Sequence, residues 1–91
     1  MVMREMELFS DQEYVRAAHQ LGLSPRQTDI AKLVLQGKSD KQIASELGIT
    51  LSTVRTHMCR LFQKYDLDDR MELVLLVLAC LRGRLRTVGK P

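Results

Sequence analysis

The segment from Thr50 to Tyr65 lacks acid entirely: it contains no aspartate and no glutamate. Its apolar residues recur at the three- and four-residue spacing of an amphipathic helix, and its other face carries threonine, arginine, histidine, cysteine and lysine. Helix surfaces of soluble proteins usually mix both charge signs, because opposite charges four positions apart support the helix. The missing acid therefore argues against an ordinary solvated surface and favours an anionic partner.

Long apolar runs are also lacking. The longest one, residues 73–81, has nine residues, and a helix needs roughly 20 to span a bilayer. Residues 1–12 carry charges where the apolar part of a signal peptide would lie. We therefore expect a soluble, cytoplasmic protein that has no membrane partner.

Cysteine is scarce, since Cys59 and Cys80 are the only two, and neither has a partner at the spacing typical of a zinc site. We expect reduced thiols, no metal and no cofactor. A chain of 91 residues forms one domain with a small core and no roomy active site beside it. His57 has no serine, cysteine or carboxylate on its own helical face to make it a catalytic base. We therefore expect no enzymatic activity.

The net charge of +3 is unevenly distributed. Residues 1–22 hold two basic and four acidic side chains, a net of −2, whereas residues 23–91 hold twelve basic and seven acidic ones, a net of +5. This asymmetry favours an anionic partner for the C-terminal part of the chain.

Helix-capping patterns divide the chain into five predicted helices, and no segment has the alternation of a strand. The predicted fold class is therefore all-α. Gly22, Gly37 and Gly48 stand where helices would end. The predicted N-caps are Ser10, Ser24, Ser39 or Asp40, Thr50 and Asp69.

The last helix has two apolar stripes, whereas a surface helix of a small domain needs only one. One predicted stripe is buried in the domain, and the other is covered either by the N-terminal helix or by a second chain. We favour a homodimer, because two-fold pairing is the commonest way to cover such a face. The first stripe is Met71, Val74, Leu78 and Leu81, and the residues predicted to dimerise are Leu73, Leu76, Val77 and Cys80.

Residues 40–59, "DKQIASELGITLSTVRTHMC", have the pattern of a helix-turn-helix. Ala44 is small where two helix backbones would approach, and Gly48 stands at the turn, where a positive φ is easiest for glycine. The second helix of this pair is the acid-free one. A helix that enters the major groove of DNA must present donors to phosphates and base edges, and a carboxylate there would be repelled. The pattern therefore predicts a nucleic-acid-binding helix.

The segment "LSPRQTDIAKLVLQGKSDKQIASELGITLSTVRTHMCRLFQKYDLDDRMELV", residues 23–74, resembles the LuxR-type (FixJ-type) DNA-binding domain of bacterial transcription regulators. The resemblance lies in "LSPR", "GKSDKQIA", "LGIT" and "STVRTH", followed by Lys64. It implies a four-helix helix-turn-helix domain at residues 23–82, here with an extra N-terminal helix in residues 1–22 and a basic tail at residues 83–91. It also implies dimerisation through the last helix. Such a domain usually follows a phosphoacceptor or ligand-binding domain, so a stand-alone member and a fragment of a larger regulator both stay open.

The resemblance also implies roles for individual residues on a recognition helix from Leu51 to Tyr65. The residues implied to contact base edges are Arg55, Thr56 and Cys59. The residues implied to contact phosphates are Ser39, Lys41, Thr53, His57 and Lys64. The chain departs from the family pattern at Asp40, where asparagine is usual, and an aspartate there repels nearby phosphate.

The predicted function is sequence-specific binding of double-stranded DNA as a transcriptional regulator, with the recognition helix in the major groove. The predicted partners are double-stranded DNA and a second copy of the chain, with RNA polymerase as a further candidate, and the protein would be associated with the nucleoid. The alternative is a protein-interaction module that binds another regulator through the helix-turn-helix scaffold or the final helix.

Overall fold

The computed structural model describes residues 9–83, and these form five α-helices with no strand among them. The predicted all-α class is confirmed. Within this range no helix is long and apolar enough to cross a lipid bilayer. The helices are α1 (Asp11–Gln20), α2 (Pro25–Leu35), α3 (Asp40–Leu47), α4 (Leu51–Tyr65) and α5 (Arg70–Leu81).

Each helix begins at a predicted cap. At Ser10, Ser24 and Ser39 the hydroxyl accepts a hydrogen bond from the backbone N–H three residues on, and the side chain at that position accepts one from the N–H of the serine. The third helix is therefore capped by Ser39 and not by Asp40. Thr50 and Asp69 cap α4 and α5 by accepting from the backbone N–H three residues later. These reciprocal bonds satisfy donors that a helix start would otherwise leave unpaired.

The core is centred on α2, which packs against each of the other four helices. Its fully buried side chains come from every helix except α1, whose neighbour Leu21 supplies one instead. Burying a side chain of this size stabilises the fold by about 1.5–3 kcal/mol. The largest fully buried side chains are Leu21, Ile30, Ile43, Leu61, Leu73, Val54 and Val77.

The N-terminal helix is part of this core. Tyr14, Ala17 and Ala18 of α1 are buried, and the Tyr14 hydroxyl donates to the carbonyl oxygen of Thr28 in α2 at 2.5 Å. Of the predicted extension, residues 1–22, the described part from residue 9 onward therefore supplies one wall of the domain. The predicted basic tail, residues 83–91, lies outside the described residues apart from Gly83.

The four residues predicted to dimerise lie on the inner side of α5. Leu73, Val77 and Cys80 are buried within their own chain, and Leu76 is half-buried against the same core. The Sγ atom of Cys80 lies 3.7 Å from the carbonyl oxygen of Ala17, so α1 covers this stripe. These side chains pack against the core of their own domain, and their dimerising role stays a prediction that this packing disfavours.

The face of α5 that points outward is made of other residues. Met71 is 60% exposed and Leu75 is 57% exposed, although both are large and apolar. The sequence pattern predicts Met71 in a buried stripe, and this prediction is wrong. Val74 and Leu78, which lie one turn after Met71 and Leu75 respectively, are half-buried. An apolar surface therefore exists on α5, but it is the side opposite the one predicted.

Candidate nucleic-acid interface

The predicted helix-turn-helix is formed by α3 and α4. Ile43 and Val54 are completely buried where the two helices pack, and Ala44 is buried beside them. Gly48 ends α3 in the left-handed region, with a φ of 68°, and the N–H of Ile49 donates to the carbonyl of Ala44 at 3.0 Å. A residue with a Cβ would be strained at this φ, which explains the glycine.

The three residues predicted to read bases share the outward surface of α4. Arg55, Thr56 and Cys59 are all exposed, and they line one shallow surface together with Arg60 and Gln63. The Thr56 hydroxyl donates to the carbonyl of Ser52 at 3.0 Å, which leaves its oxygen able to accept a hydrogen bond. The side chain of Arg55 is 66% exposed. No acidic side chain belongs to this helix, so the surface offers cationic, hydroxyl and thiol groups.

The residues predicted to contact phosphates do not lie in equivalent environments. Ser39 uses its hydroxyl to cap α3, and Thr53 shares a hydrogen bond with the Thr50 hydroxyl at 2.8 Å. Lys41 is exposed in the first turn of α3. All three lie at the start of a helix, where backbone N–H groups and the helix dipole favour an anion.

His57 and Lys64 differ from the other three predicted phosphate contacts. His57 is half-buried, and its Nδ1 atom is shielded from solvent with no hydrogen-bond partner. The ammonium group of Lys64 donates to the backbone carbonyl of Gly22 at 2.7 Å. Both roles stay predictions, although the structure gives Lys64 a second role within the fold.

Arg70 is a site residue that the sequence pattern does not predict. Its Nη1 atom donates to Oδ1 of Asp40 at 2.9 Å, and its Nη2 atom donates to the backbone carbonyl of Lys38. The other oxygen of Asp40 lies 3.7 Å from Nε of Arg55. Asp40 and Arg70 are 30 positions apart, so no local pattern in the sequence could pair them.

A groove runs beside the recognition surface, between α4 and the loop before α5. Met58, Phe62 and Leu67 give it an apolar lining, and Arg55 and Arg70 also line it. Its acidic residues are Asp40, Asp66, Asp68 and Asp69. Within residues 9–83 no cluster of three or more histidine, cysteine or carboxylate side chains could hold a metal ion.

Comparison with known families identifies this arrangement. Residues 21–77 match the family model described as bacterial regulatory proteins, luxR family. The chain belongs to the LuxR family. The matched range contains α2, α3 and α4 and most of α5, and the resemblance given by residues 23–74 is confirmed. The first helix, α1, precedes the matched range.

Several curated proteins are similar to more than half of this LuxR-family chain. The nitrate/nitrite response regulator protein NarL of Escherichia coli is 44% identical over 55 residues, which are 60% of this chain and 26% of NarL. The transcriptional regulatory protein LiaR of Bacillus subtilis is 40% identical over 50 residues, 55% of this chain and 24% of LiaR. The monoamine regulon transcriptional regulator of Klebsiella aerogenes is 42% identical over 52 residues, 57% of this chain and 23% of that protein.

The chain therefore matches about a quarter of the length of these three relatives. No solved structure matches the chain. The range that matches the family model, residues 21–77, contains the whole α3–α4 pair and its exposed surface.

Proposed function

We propose that this chain binds double-stranded DNA in a sequence-specific manner and regulates transcription, with α4 as the recognition helix in the major groove. The observation that carries this proposal is the exposed surface of α4, where Arg55, Thr56 and Cys59 lie side by side on a helix that has no carboxylate. The major groove admits an α-helix and presents guanine O6 and N7, which one guanidinium can bind together.

The starts of α3 and α4 supply the complementary phosphate contacts. Ser39 and Lys41 lie at the start of α3, and Thr53 lies in the first turn of α4. Contacts of this kind fix the register of a protein on the duplex but carry no sequence information. The base-reading role of Arg55 and the phosphate-binding role of Lys41 therefore make different predictions for mutants.

We also propose that the chain acts as a homodimer that uses the outward face of α5. Met71 and Leu75 expose large apolar side chains there, beside the half-buried Val74 and Leu78. Pairing of two chains at this face would remove the exposed apolar area from water. Two recognition helices would then read half-sites about one helical turn apart, centred on a two-fold axis.

The test is selection from a randomised pool of duplex DNA by the wild-type protein and by Arg55→Ala in parallel. Arg16→Ala is the matched control, since it removes the same charge from an exposed position on α1, away from α4. We expect the wild type and the control to enrich one motif with two-fold symmetry. Arg55→Ala should lose preference at one base pair in each half-site, at a cost of about 1–3 kcal/mol.

Lys41→Ala separates base reading from phosphate binding. It should weaken binding to all sequences alike and lower the slope of log affinity against log salt by about one. If the wild-type protein enriches no motif even at low salt, sequence-specific binding is wrong. If Arg55→Ala and Lys41→Ala weaken every sequence equally, only the base-reading role of Arg55 is wrong.

A second candidate function is binding of another regulator, and the groove between α4 and the loop before α5 favours it. Its apolar lining of Met58, Phe62 and Leu67 and its four aspartates would suit a basic amphipathic segment of a partner protein. Binding to such a partner would be weakened by Phe62→Ala, whereas DNA binding through the outward surface of α4 would not depend on that side chain.

A further inference from the structure

The carboxylate of Asp40 lies between arginines from two different helices. Oδ1 accepts from Nη1 of Arg70 at 2.9 Å, and Oδ2 lies 3.7 Å from Nε of Arg55. The side chain of Asp40 is 27% exposed, whereas that of Arg55 is 66% exposed. A partly shielded negative charge is thus placed directly beside an exposed arginine of the recognition surface.

Asp40 is itself held in place. Arg70 donates both to the Asp40 carboxylate and to the backbone carbonyl of Lys38, so its guanidinium spans the start of α3. Asp40 is also the first residue of α3, where a negative charge is favoured by the helix dipole. These contacts fix the carboxylate before any ligand is present.

We propose that Asp40 is a positioning residue for base readout, one that orients the guanidinium of Arg55 and opposes close approach of phosphate. This inference rests on the proposed DNA-binding function. A contact through Nε leaves the edge formed by Nη1 and Nη2 to meet guanine O6 and N7. Orienting a long side chain before binding lowers the entropy lost when the complex forms.

The same carboxylate should weaken binding to DNA of any sequence. A negative charge at the start of α3 repels the phosphate backbone, which supplies most of the sequence-independent affinity. Asp40 therefore lowers the affinity for all DNA but increases discrimination at the base pair that Arg55 reads. This opposition of two effects distinguishes a positioning residue from one that only stabilises the fold.

The experiment measures dissociation constants for the selected motif and all its single-base-pair variants. The proteins are the wild type, Asp40→Asn, Arg55→Ala and the double variant. Asparagine keeps the shape of aspartate and an oxygen that can accept from Arg70. Asp40→Asn should bind every duplex more tightly, while its preference at the Arg55 base pair falls about twofold to fivefold, as expected for an exposed ion pair.

In the Arg55→Ala background, Asp40→Asn should still raise overall affinity but should no longer change the preference at that base pair. Asp11→Asn is the matched control, because Asp11 is likewise the first residue of a helix and pairs with a cation, Lys32, but lines neither the groove nor the outward surface of α4. It should leave the preference at every base pair unchanged. Arg70→Met, which releases Asp40 without altering either of the other two residues, should lower the preference at the same base pair.

The outcomes separate this proposal from the proposed function. If the wild type selects a motif but Asp40→Asn leaves its preferences unchanged, or changes them equally with and without Arg55, then Asp40 does not position Arg55. If the wild type selects no motif, sequence-specific binding fails and the positioning role fails with it.

Discussion

The ammonium group of Lys64 lies 2.7 Å from the backbone carbonyl oxygen of Gly22, a residue 42 positions earlier in the chain. The hydrogen bond ties the end of α4 to the connection between α1 and α2. A Cβ added to Gly22 would lie 3.1 Å from the same Nζ atom, and the φ of Gly22 is +71°, so glycine suits this position on both counts. The far end of the recognition helix is thereby fixed to the N-terminal part of the domain.

Lys64→Met should destabilise the fold, because it keeps the aliphatic stem and removes the donor to Gly22. We expect the free energy of unfolding to fall by about 1 kcal/mol, measured by chemical denaturation. Lys41→Met is the control, since Lys41 is exposed on α3, and it should change stability by less than about 0.5 kcal/mol. A DNA-binding salt slope lowered by Lys64→Met would support the phosphate contact as a second role. Unchanged stability would contradict the tie to Gly22.

The two tyrosines of α1 and α4 should respond in opposite directions to loss of the hydroxyl. Tyr14 donates to the carbonyl of Thr28 at 2.5 Å, whereas the buried Tyr65 hydroxyl has no hydrogen-bond partner. Tyr14→Phe should lower the free energy of unfolding by about 1 kcal/mol. Tyr65→Phe should leave stability unchanged or raise it, because burying an unpaired hydroxyl is costly. Chemical denaturation of both variants at neutral pH measures these changes in the free energy of unfolding. If Tyr65→Phe loses more stability than Tyr14→Phe, the prediction is wrong.

Alkaline pH should destabilise the domain, because burial disfavours deprotonation of Tyr14 in the folded state. Burial, and to a smaller extent the charge of Asp29, raises the pKa of the Tyr14 hydroxyl above its ordinary value of 10.0. The folded protein then keeps a proton that the unfolded chain has lost, so stability falls as pH rises above about 10. Tyr14→Phe should make this fall shallower by up to about 1.4 kcal/mol per pH unit. An equal slope in wild type and variant would contradict the raised pKa.

The outward face of α5 should tolerate charge in the monomer but not in a dimer. Leu75→Lys and Leu75→Glu should both weaken self-association, measured by analytical ultracentrifugation, since either charge would be desolvated at a paired interface. Their monomer stability should change by less than about 0.5 kcal/mol. The buried Leu73→Ala, by contrast, should cost about 2–5 kcal/mol in unfolding free energy. If the Leu75 variants associate like the wild type, the dimer does not use this face.

Local features of the fold could be predicted from the sequence because they depend on neighbouring residues. The bond from the N–H of Glu13 to the Ser10 hydroxyl joins positions three apart, and the turn at Gly48 needs only a residue that accepts positive φ. These features decide where helices start and stop, and four residues of context are enough to recognise them.

The orientation of α5 could not be predicted in the same way. Its residues are apolar on almost every side of the helix. The sequence alone therefore does not decide whether Met71 or Leu73 is buried in the core. The buried side of α5 is the one against which α1 and α2 pack, and this side contains Leu73 and not Met71. The ion pairs of Asp40 with Arg55 and Arg70 depend on the same kind of tertiary placement, which periodicity does not encode.

Asp66 offers a route to a more stable domain. It caps the end of α4 in the left-handed region, with a φ of 56°, although it is not glycine. Its negative charge also lies at the C-terminus of a helix, where the dipole disfavours it. Asp66→Asn keeps a side chain that tolerates this conformation and removes the charge, so it should raise the free energy of unfolding by about 0.5 kcal/mol.

Two further variants at this position separate backbone strain from charge. Asp66→Gly should stabilise at least as much as Asp66→Asn, because glycine adopts the left-handed region without steric cost. Asp66→Val should destabilise by more than about 1 kcal/mol, since a β-branched side chain is strained there. Thermal unfolding at low and high salt tests both effects: the gain from asparagine should shrink with salt, and the gain from glycine should persist in part. Destabilisation by both asparagine and glycine would show that the aspartate carboxylate makes a stabilising contact at the end of α4.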